Sequence, residues 1–241
     1  MMDVRPTAGR LDAVRRRIAA ACERAGRAAD DVLLVVVTKQ VPLPLVVEAC
    51  RAGAQDLGEN RVFDALVRQD QLPALLSGAG VEPTGVRWHF IGHLQRNKAS
   101  RVAGKFALLH GVDSAELAVL LSGRATAAGF RETILLEVNL TGEPQKHGVA
   151  PADLPRLLDQ VAALPGVEVR GLMGMAGLDA DEAMARRQFA GLRLLAEQER
   201  ARIGLALPEL SMGMSDDFEA AIAEGATIVR IGGAIFAPRD S

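Results

Sequence analysis

Val32-Leu33-Leu34-Val35-Val36-Val37-Thr38-Lys39 is the stretch that decides the fold. Its six apolar residues, mostly β-branched, run straight into Lys39 and then into Gln40-Val41-Pro42. An apolar run of this length, bounded by polar and turn residues, reads as a strand buried on both faces of a parallel sheet. Lys39 then stands at the carboxyl end of a core strand. An ammonium held against apolar surface loses hydration, which lowers its pKa and leaves more of it as the nucleophilic free amine. The chain uses arginine 24 times and lysine four times. Arginine stays protonated and cannot form a Schiff base with an aldehyde, so a lysine here suggests chemistry rather than charge alone. The alternative is a lysine that snorkels to solvent at a strand end.

Outward from this stretch an alternating pattern continues to the end of the chain. Strands are predicted over 32–39, 54–57, 86–91, 107–112, 133–138, 167–172, 209–212 and 227–231, with helices or short helical turns between them. The intervening helices fall at about 43–53, one ending near 78, then 95–103, 114–128, from 151, 180–203 and 215–224. Glycine and proline punctuate the joints, as in the loop 77–86. Strands that alternate with helices imply parallel pairing, and eight such units in about 210 residues are the signature of a closed (β/α)8 TIM barrel. A doubly wound open sheet is the alternative, but no Gly-x-Gly-x-x-Gly follows the first strand. The expected architecture is one TIM-barrel domain over 1–241, with an extra N-terminal helix at 7–27. Leu11, Val14, Ile18, Cys22 and Ala25 form that helix's apolar stripe.

Composition narrows the function. A formal charge of −2 gives no electrostatic reason for nucleic acid as the main partner. Seven arginines in the first 27 residues raise an RNA- or partner-binding arm as a third possibility. No aromatic residue is interleaved for stacking, so a solvated helix face explains them better. No signal segment and no run of membrane-spanning length is present, and Cys22 and Cys50 match no metal or redox spacing. A cytoplasmic protein without membrane contact is expected.

A barrel carries its working residues just beyond the carboxyl ends of its strands. Those positions are Lys39; Glu59 and Asn60; His89, Gly92 and His93; Asp113; Asn139 and Lys146; Met173 and Met175; Ser211 to Ser215; and Arg230 to Gly233. Gly213, Gly232 and Gly233 lie after strands seven and eight, where barrels commonly hold a phosphate. Glycine also lets backbone N–H groups approach an anion closely. Ser215-Asp216-Asp217 reads as an N-cap with acids in the first turn. His89 and His93 stand four apart on a strand running into a loop, not on a helix, and no third ligand is evident in the sequence, so no metal site is assigned. His89 reads as a structural or pocket-lining residue, and Met173, Met175, Met212 and Met214 as packing residues, some of them against a bound ring. A nucleophilic lysine and a phosphate cradle together point to pyridoxal 5′-phosphate (PLP).

The chain resembles the pyridoxal phosphate homeostasis protein family, which is related to the N-terminal barrel of alanine racemases. The stretches that carry the resemblance are Val37-Thr38-Lys39, Gly58-Glu59-Asn60-Arg61, Trp88 to Lys98 (WHFIGHLQRNK), Arg170-Gly171-Leu172-Met173, Ser211 to Asp217 (SMGMSDD) and Val229-Arg230-Ile231-Gly232. They lie in order across nearly the whole chain. The resemblance implies that Lys39 forms the internal aldimine with PLP. It implies that Ser211, Gly213, Gly232 and Gly233 hold the phosphate mainly through backbone N–H groups, that Arg230 faces the pyridine nitrogen, and that Asn60 lines the site. Many members have threonine where this chain has Gly233, so one hydroxyl donor to the phosphate is missing. Lys146 resembles a lysine thought to help pass the cofactor on; an ordinary solvated loop lysine is the alternative.

Two functions compete on this reading. A PLP-dependent racemase needs a second proton donor, which alanine racemases supply as a tyrosine with help from a β-rich domain. This chain contains no tyrosine, and it ends at Ser241 soon after the eighth strand, where that domain would begin. An arginine at the pyridine nitrogen also weakens the ring as an electron sink. The expectation is a non-catalytic, monomeric carrier that stores and protects PLP and delivers it to PLP-dependent apo-enzymes. A racemase or related enzyme of low activity is the alternative.

Overall fold

The computed structural model describes residues 6–143 and 145–236; both ends of the domain expected over 1–241 lie outside the described residues. Helix α1 (Thr7–Arg24) comes first, and the apolar run then forms strand β1 (Leu33–Val37). After it come α2 (Leu43–Arg51), β2 (Asp56–Glu59), α3 (Val62–Gly78), β3 (Arg87–Phe90), α4 (Ala99–Val102), β4 (Leu108–Val112), α5 (Ala115–Ala127) and β5 (Glu132–Val138). The chain continues through α6 (Leu154–Ala162), β6 (Val167–Gly174), α7 (Glu182–Ile203), β7 (Glu209–Ser211), α8 (Phe218–Ala223), β8 (Ile228–Ile231) and α9 (Gly233–Phe236). The eight strands pair in chain order, all parallel, and β8 closes on β1 through Leu33↔Ile228 to Val36↔Ile231. This is the (β/α)8 barrel read from the sequence.

Alternate strand residues face opposite sides. Leu33, Val35, Leu108, Leu135, Met173 and Ile228 form a small interior cluster, while Val36, Leu57, Leu109, Leu136 and Val229 join the larger core under the helices. Stepping two residues on from Leu108, Leu135 and Ile228 gives His110, Glu137 and Arg230, all buried. The upper half of the barrel interior is therefore polar. That feature positions the site.

Several element boundaries differ from the sequence reading. Strand β2 lies two residues later than expected, so Glu59 is the last strand residue and is buried. Strand β6 runs two residues longer, which takes Met173 into the interior. The segment 95–103 is a 3-10 turn (Arg96–Lys98) running into the short α4. Helix α8 starts at Phe218, not at Ser215. Helix α1 stops at Arg24, because Gly26 adopts φ +68°.

The arginines of α1 and of the turn after it have a structural use. Arg10 donates to the Ile235 carbonyl, Arg15 to those of Ala52 and Gly53, and Arg27 to those of Ile222 and Ala226. Arg17 pairs with Glu219 at 2.7 Å and lies 4.5 Å above the Phe218 ring. Leu11, Val14, Ile18 and Cys22 bury the apolar stripe against the barrel. These arginines thus staple α1 over loop and helix ends on the β8–β1 side.

Candidate functional site at the barrel mouth

Beyond β1 the chain makes a tight turn in which Val41 N–H donates to the Thr38 carbonyl. Gln40 occupies its third position at φ +61°, a conformation that favours glycine. The turn is held from beneath: Thr38 Oγ1 donates to Glu59 Oε1 at 2.7 Å, and Arg68 of α3 donates to the Val41 carbonyl at 2.7 Å. Arg68 also pairs with Glu59 at 3.4 Å. Burial raises the Glu59 pKa, against the opposing pull of the Thr38 hydrogen bond and of Arg68. Lys39 rides on top of this lock. It is exposed, because the strand ends at Val37 and the turn carries Lys39 to the rim. Its side chain lines a cavity of about 290 Å³ together with Val37, Pro42, Gly232, Gly233 and Phe236.

The glycines of the last two loops differ in what they permit. Gly213 sits at φ +94°, where an added Cβ would lie 2.6 Å from Ala221 Cβ and 2.9 Å from Phe218 Cα. Gly232 packs on the end of β1, and a Cβ there would meet the Val37 carbonyl oxygen at 2.9 Å. At Gly233 a Cβ would meet only Ser215 Oγ, at 3.5 Å. Ser215 is not an N-cap, which corrects the sequence reading. Its hydroxyl accepts the Ala234 N–H at 3.2 Å and so ties the two loops together, while Asp217 Oδ1 accepts the Met214 N–H. Asn60, half-buried after β2, lies against Gly92, where any Cβ would come within 2.4 Å of the Asn60 carbonyl oxygen.

Beneath the mouth a hydrogen-bonded chain crosses the barrel. Arg230 Nη1 donates to Ser211 Oγ at 2.5 Å, and Ser211 Oγ meets His110 Nδ1 at 2.8 Å. His110 Nε2 meets His89 Nδ1 at 3.0 Å, and His89 Nε2 meets Asp56 Oδ1 at 2.9 Å. Arg87 closes the far end with two hydrogen bonds to Asp56. Burial acts to raise the Asp56 pKa, but the hydrogen bonds from His89 and Arg87 outweigh it and the net shift is downward. Burial, aided by His89 and Arg230, holds His110 well below the usual histidine range. Arginine only donates and a carboxylate only accepts. The two ends of the chain are therefore fixed, donor at Arg230 and acceptor at Asp56, and the tautomers of His89 and His110 set the direction of the bonds between them. Burial lowers Arg230 to about 10, with Glu137 and Asp217 opposing. The guanidinium stays charged at neutral pH and is fixed in place by Ser211 and the Gly174 carbonyl. Glu137 is 3% exposed, and its Oε2 has no hydrogen-bond partner. Burial first, then the charge of Asp113, raises its pKa to about 7, against the attraction of Arg230.

The structure thus brings Lys39, Gly232 and Gly233 to one cavity and pairs Ser211 with Arg230 inside the barrel below it. The Ser211 hydroxyl is committed to Arg230 and His110. Met173 and Met212 are buried, whereas Met175 and Met214 are partly exposed. Lys146 pairs with Glu143 at 2.8 Å. Nothing in the sequence assigned a role to Thr38, Arg68, His110 or Glu137, and Ser215 read only as an N-cap. A faint signal existed for Glu137 and His110, each a polar residue inside an otherwise apolar strand. For Arg68, in mid-helix, there was none. The metal reading also needs correcting in one respect: His93 is not without partners, since Asp113 and His147 converge on it, while His89 points elsewhere, into the barrel.

Among the described residues, no helix is long and apolar enough to cross a membrane. Residues 10–240 match the family described as alanine racemase, N-terminal domain. A pyridoxal phosphate homeostasis protein from Pseudomonas aeruginosa is 42% identical over 227 residues, covering 94% of this chain and 93% of its own. One from Aquifex aeolicus is 40% identical over 230 residues, covering 95% and 97%. The solved structure of PipY from Synechococcus elongatus PCC7942 with PLP bound superposes with a TM-score of 0.82 at 35% identity, covering 96% of this chain and all of that one. With motifs, barrel and near-full-length likeness in agreement, the chain belongs to the pyridoxal phosphate homeostasis protein family, among the barrels of the alanine racemase N-terminal domain type.

Proposed function

We propose that this protein holds pyridoxal 5′-phosphate reversibly at its barrel mouth, storing and protecting the cofactor in the cytoplasm and delivering it to PLP-dependent apo-enzymes, as a monomer without efficient catalysis of its own. The observation that carries the reading is the placement of an exposed lysine and two loop glycines around one cavity. Lys39 Nζ forms a Schiff base with the aldehyde carbon, with loss of water, and hydrolysis reverses it. An amine at the rim suits that traffic, because water and recipient proteins reach it. Gly213, Gly232 and Gly233 offer backbone N–H groups to the phosphate, joined by the Ser211 main chain and the Ser215 hydroxyl. Asn60 lines the site. Arg230, held by Ser211 and the Gly174 carbonyl, donates to the pyridine nitrogen.

A permanently charged donor keeps that nitrogen unprotonated and leaves the ring a weak electron sink, so carbanion chemistry is poorly served. The absence of tyrosine from the chain removes the second acid–base group that a racemase of this fold uses. The binding of PLP by PipY supports the choice of ligand. The test is the absorbance of the protein mixed with PLP, followed by borohydride reduction and peptide mass mapping. The wild type should show the imine band and carry the reduced adduct on Lys39, and Lys39→Ala should show neither. An adduct on Lys146 instead, or the spectrum of free cofactor from both proteins, would refute the assignment. Incubation with L- or D-alanine and chiral analysis then separates carrier from racemase: sustained turnover would overturn the carrier reading.

A further inference from the structure

Three strand ends on the side of the mouth away from Lys39 converge on a group of donors that the PLP reading does not use. His93 follows β3, Asp113 follows β4, and His147 stands in the loop after β5. One ligand atom from each lies within 4.8 Å of the others. His93 Nδ1 is 3.2 Å from Asp113 Oδ2, and the His93 and His147 rings stack with centroids 3.8 Å apart and planes at 7°. We propose that His93, Asp113 and His147 form a binding site for a divalent transition-metal ion of the zinc type. The proposal is independent of the cofactor reading.

The donor set determines the class of ion. Two imidazoles and one carboxylate suit Zn²⁺, Co²⁺ or Ni²⁺, whereas Mg²⁺ and Ca²⁺ prefer oxygen ligands throughout. In a tetrahedral site, bonds of about 2.0–2.2 Å hold the ligand atoms of one ion about 3.3–3.6 Å apart. Seating the ion therefore requires the donor atoms to close by about 1 Å or slightly more and the stacked His93 and His147 rings to turn out of parallel, so that both lone pairs aim at the ion. Three protein ligands leave a fourth position open to water at the rim, where exposed His93 and His147 give the ion direct access.

The backbone that carries His147 is held in place before any ion arrives. Asn139 Oδ1 accepts the N–H groups of Thr141 and Gly142, and its Nδ2 donates to the carbonyls of Glu143 and Lys146. Asn139 N–H donates to the Val149 carbonyl, and Val149 N–H to that of Glu137. Between them Gly148, at φ +103°, lies so close to β5 that a Cβ would sit 2.6 Å from the Asn139 nitrogen. The loop is thus laced back onto β5, and His147 projects from a fixed base over His93. This removes much of the ordering cost of a three-ligand site. A bound ion would tie the β5 loop, which also carries Lys146, to the ends of β3 and β4.

The test uses the full chain, freed of metal with a chelator and titrated calorimetrically with Zn²⁺, with Co²⁺ absorbance as a spectroscopic reading of the ligand field. One ion per chain is expected. His147→Ala and Asp113→Ala should each weaken binding on the order of 100-fold and abolish the Co²⁺ spectrum. His147 is exposed in a loop, so its removal leaves the core intact, as circular dichroism will verify; His93→Ala provides an independent variant. No saturable binding by the wild type, or equal binding by the wild type and these variants, would overturn the proposal.

Discussion

Replacing Glu137 by glutamine should make the protein's stability less dependent on pH across neutrality. Glu137 lies inside the barrel with one oxygen lacking any hydrogen-bond partner, and burial with the charge of Asp113 raises its pKa from 4.5 to about 7. A group whose pKa is higher folded than unfolded stabilises the fold while protonated. That contribution is complete below the unfolded value and is lost as pH rises through the folded one. A rise from 4.5 to about 7 is worth roughly 3 kcal/mol, at about 1.4 kcal/mol for each tenfold change in proton affinity. Between about pH 5 and pH 8 the wild type should lose about 2.5 kcal/mol through this residue. Glutamine keeps the shape and has no proton to lose. Urea denaturation at a series of pH values, in the presence of a chelator, gives the unfolding free energy of both proteins. Their difference isolates residue 137, since the remaining titrating groups are shared. The variant should gain steadily on the wild type as pH rises. Parallel profiles would refute the reasoning, and would mean that Glu137 stays ionised beside Arg230 throughout.

Other perturbations test the mouth and the interior chain. Gly232→Ala places a methyl 2.9 Å from the Val37 carbonyl oxygen and 3.0 Å from Val37 Cβ, and should cost about 1–3 kcal/mol in urea denaturation and weaken PLP binding in a fluorescence titration. Gly233→Thr meets only Ser215 Oγ at 3.5 Å, so stability should change by less than about 0.5 kcal/mol. Its hydroxyl should tighten PLP binding by on the order of 1 kcal/mol, about fivefold, in the same titration. His110→Leu strips partners from the Ser211 hydroxyl and from His89 Nδ1, and should destabilise by about 2–4 kcal/mol in urea denaturation. Asp56 has a lowered pKa in the fold, so its contribution is present above its unfolded value of 3.8 and lost on acidification below it. Acid titration of Asp56→Asn, followed by circular dichroism, should show a shallower loss of structure than the wild type.

Much of the fold was legible because its signals are local. The apolar run at 32–37, the alternation of strand and helix, and the glycines at the joints each follow from periods of two and 3.6 residues that a short window displays. Boundaries were less secure, and at β2 an offset of two residues mattered. It moved Glu59 from the loop to the end of a buried strand, where it holds the Lys39 turn through Thr38. The helix expected at Ser215 starts three residues later, which frees that hydroxyl to join the loop after β8.

By itself the sequence determined the parallel barrel, the lysine after the first strand, the glycine loops after the last two, and the family those stretches share. Tertiary structure alone decided that Lys39 is exposed, that Arg68 braces its turn, and that Glu137 faces Arg230 without a hydrogen-bond partner on one oxygen. It alone aligned Asp56, His89, His110, Ser211 and Arg230, although His110 and Ser211 stand 101 residues apart. The same holds for His93, Asp113 and His147, which meet only where three strands end together. The physical reason is closure. Backbone periodicity tells each strand which residues face inward, but the partners across the lumen are assigned only when β8 pairs with β1 and sets the stagger of the whole ring.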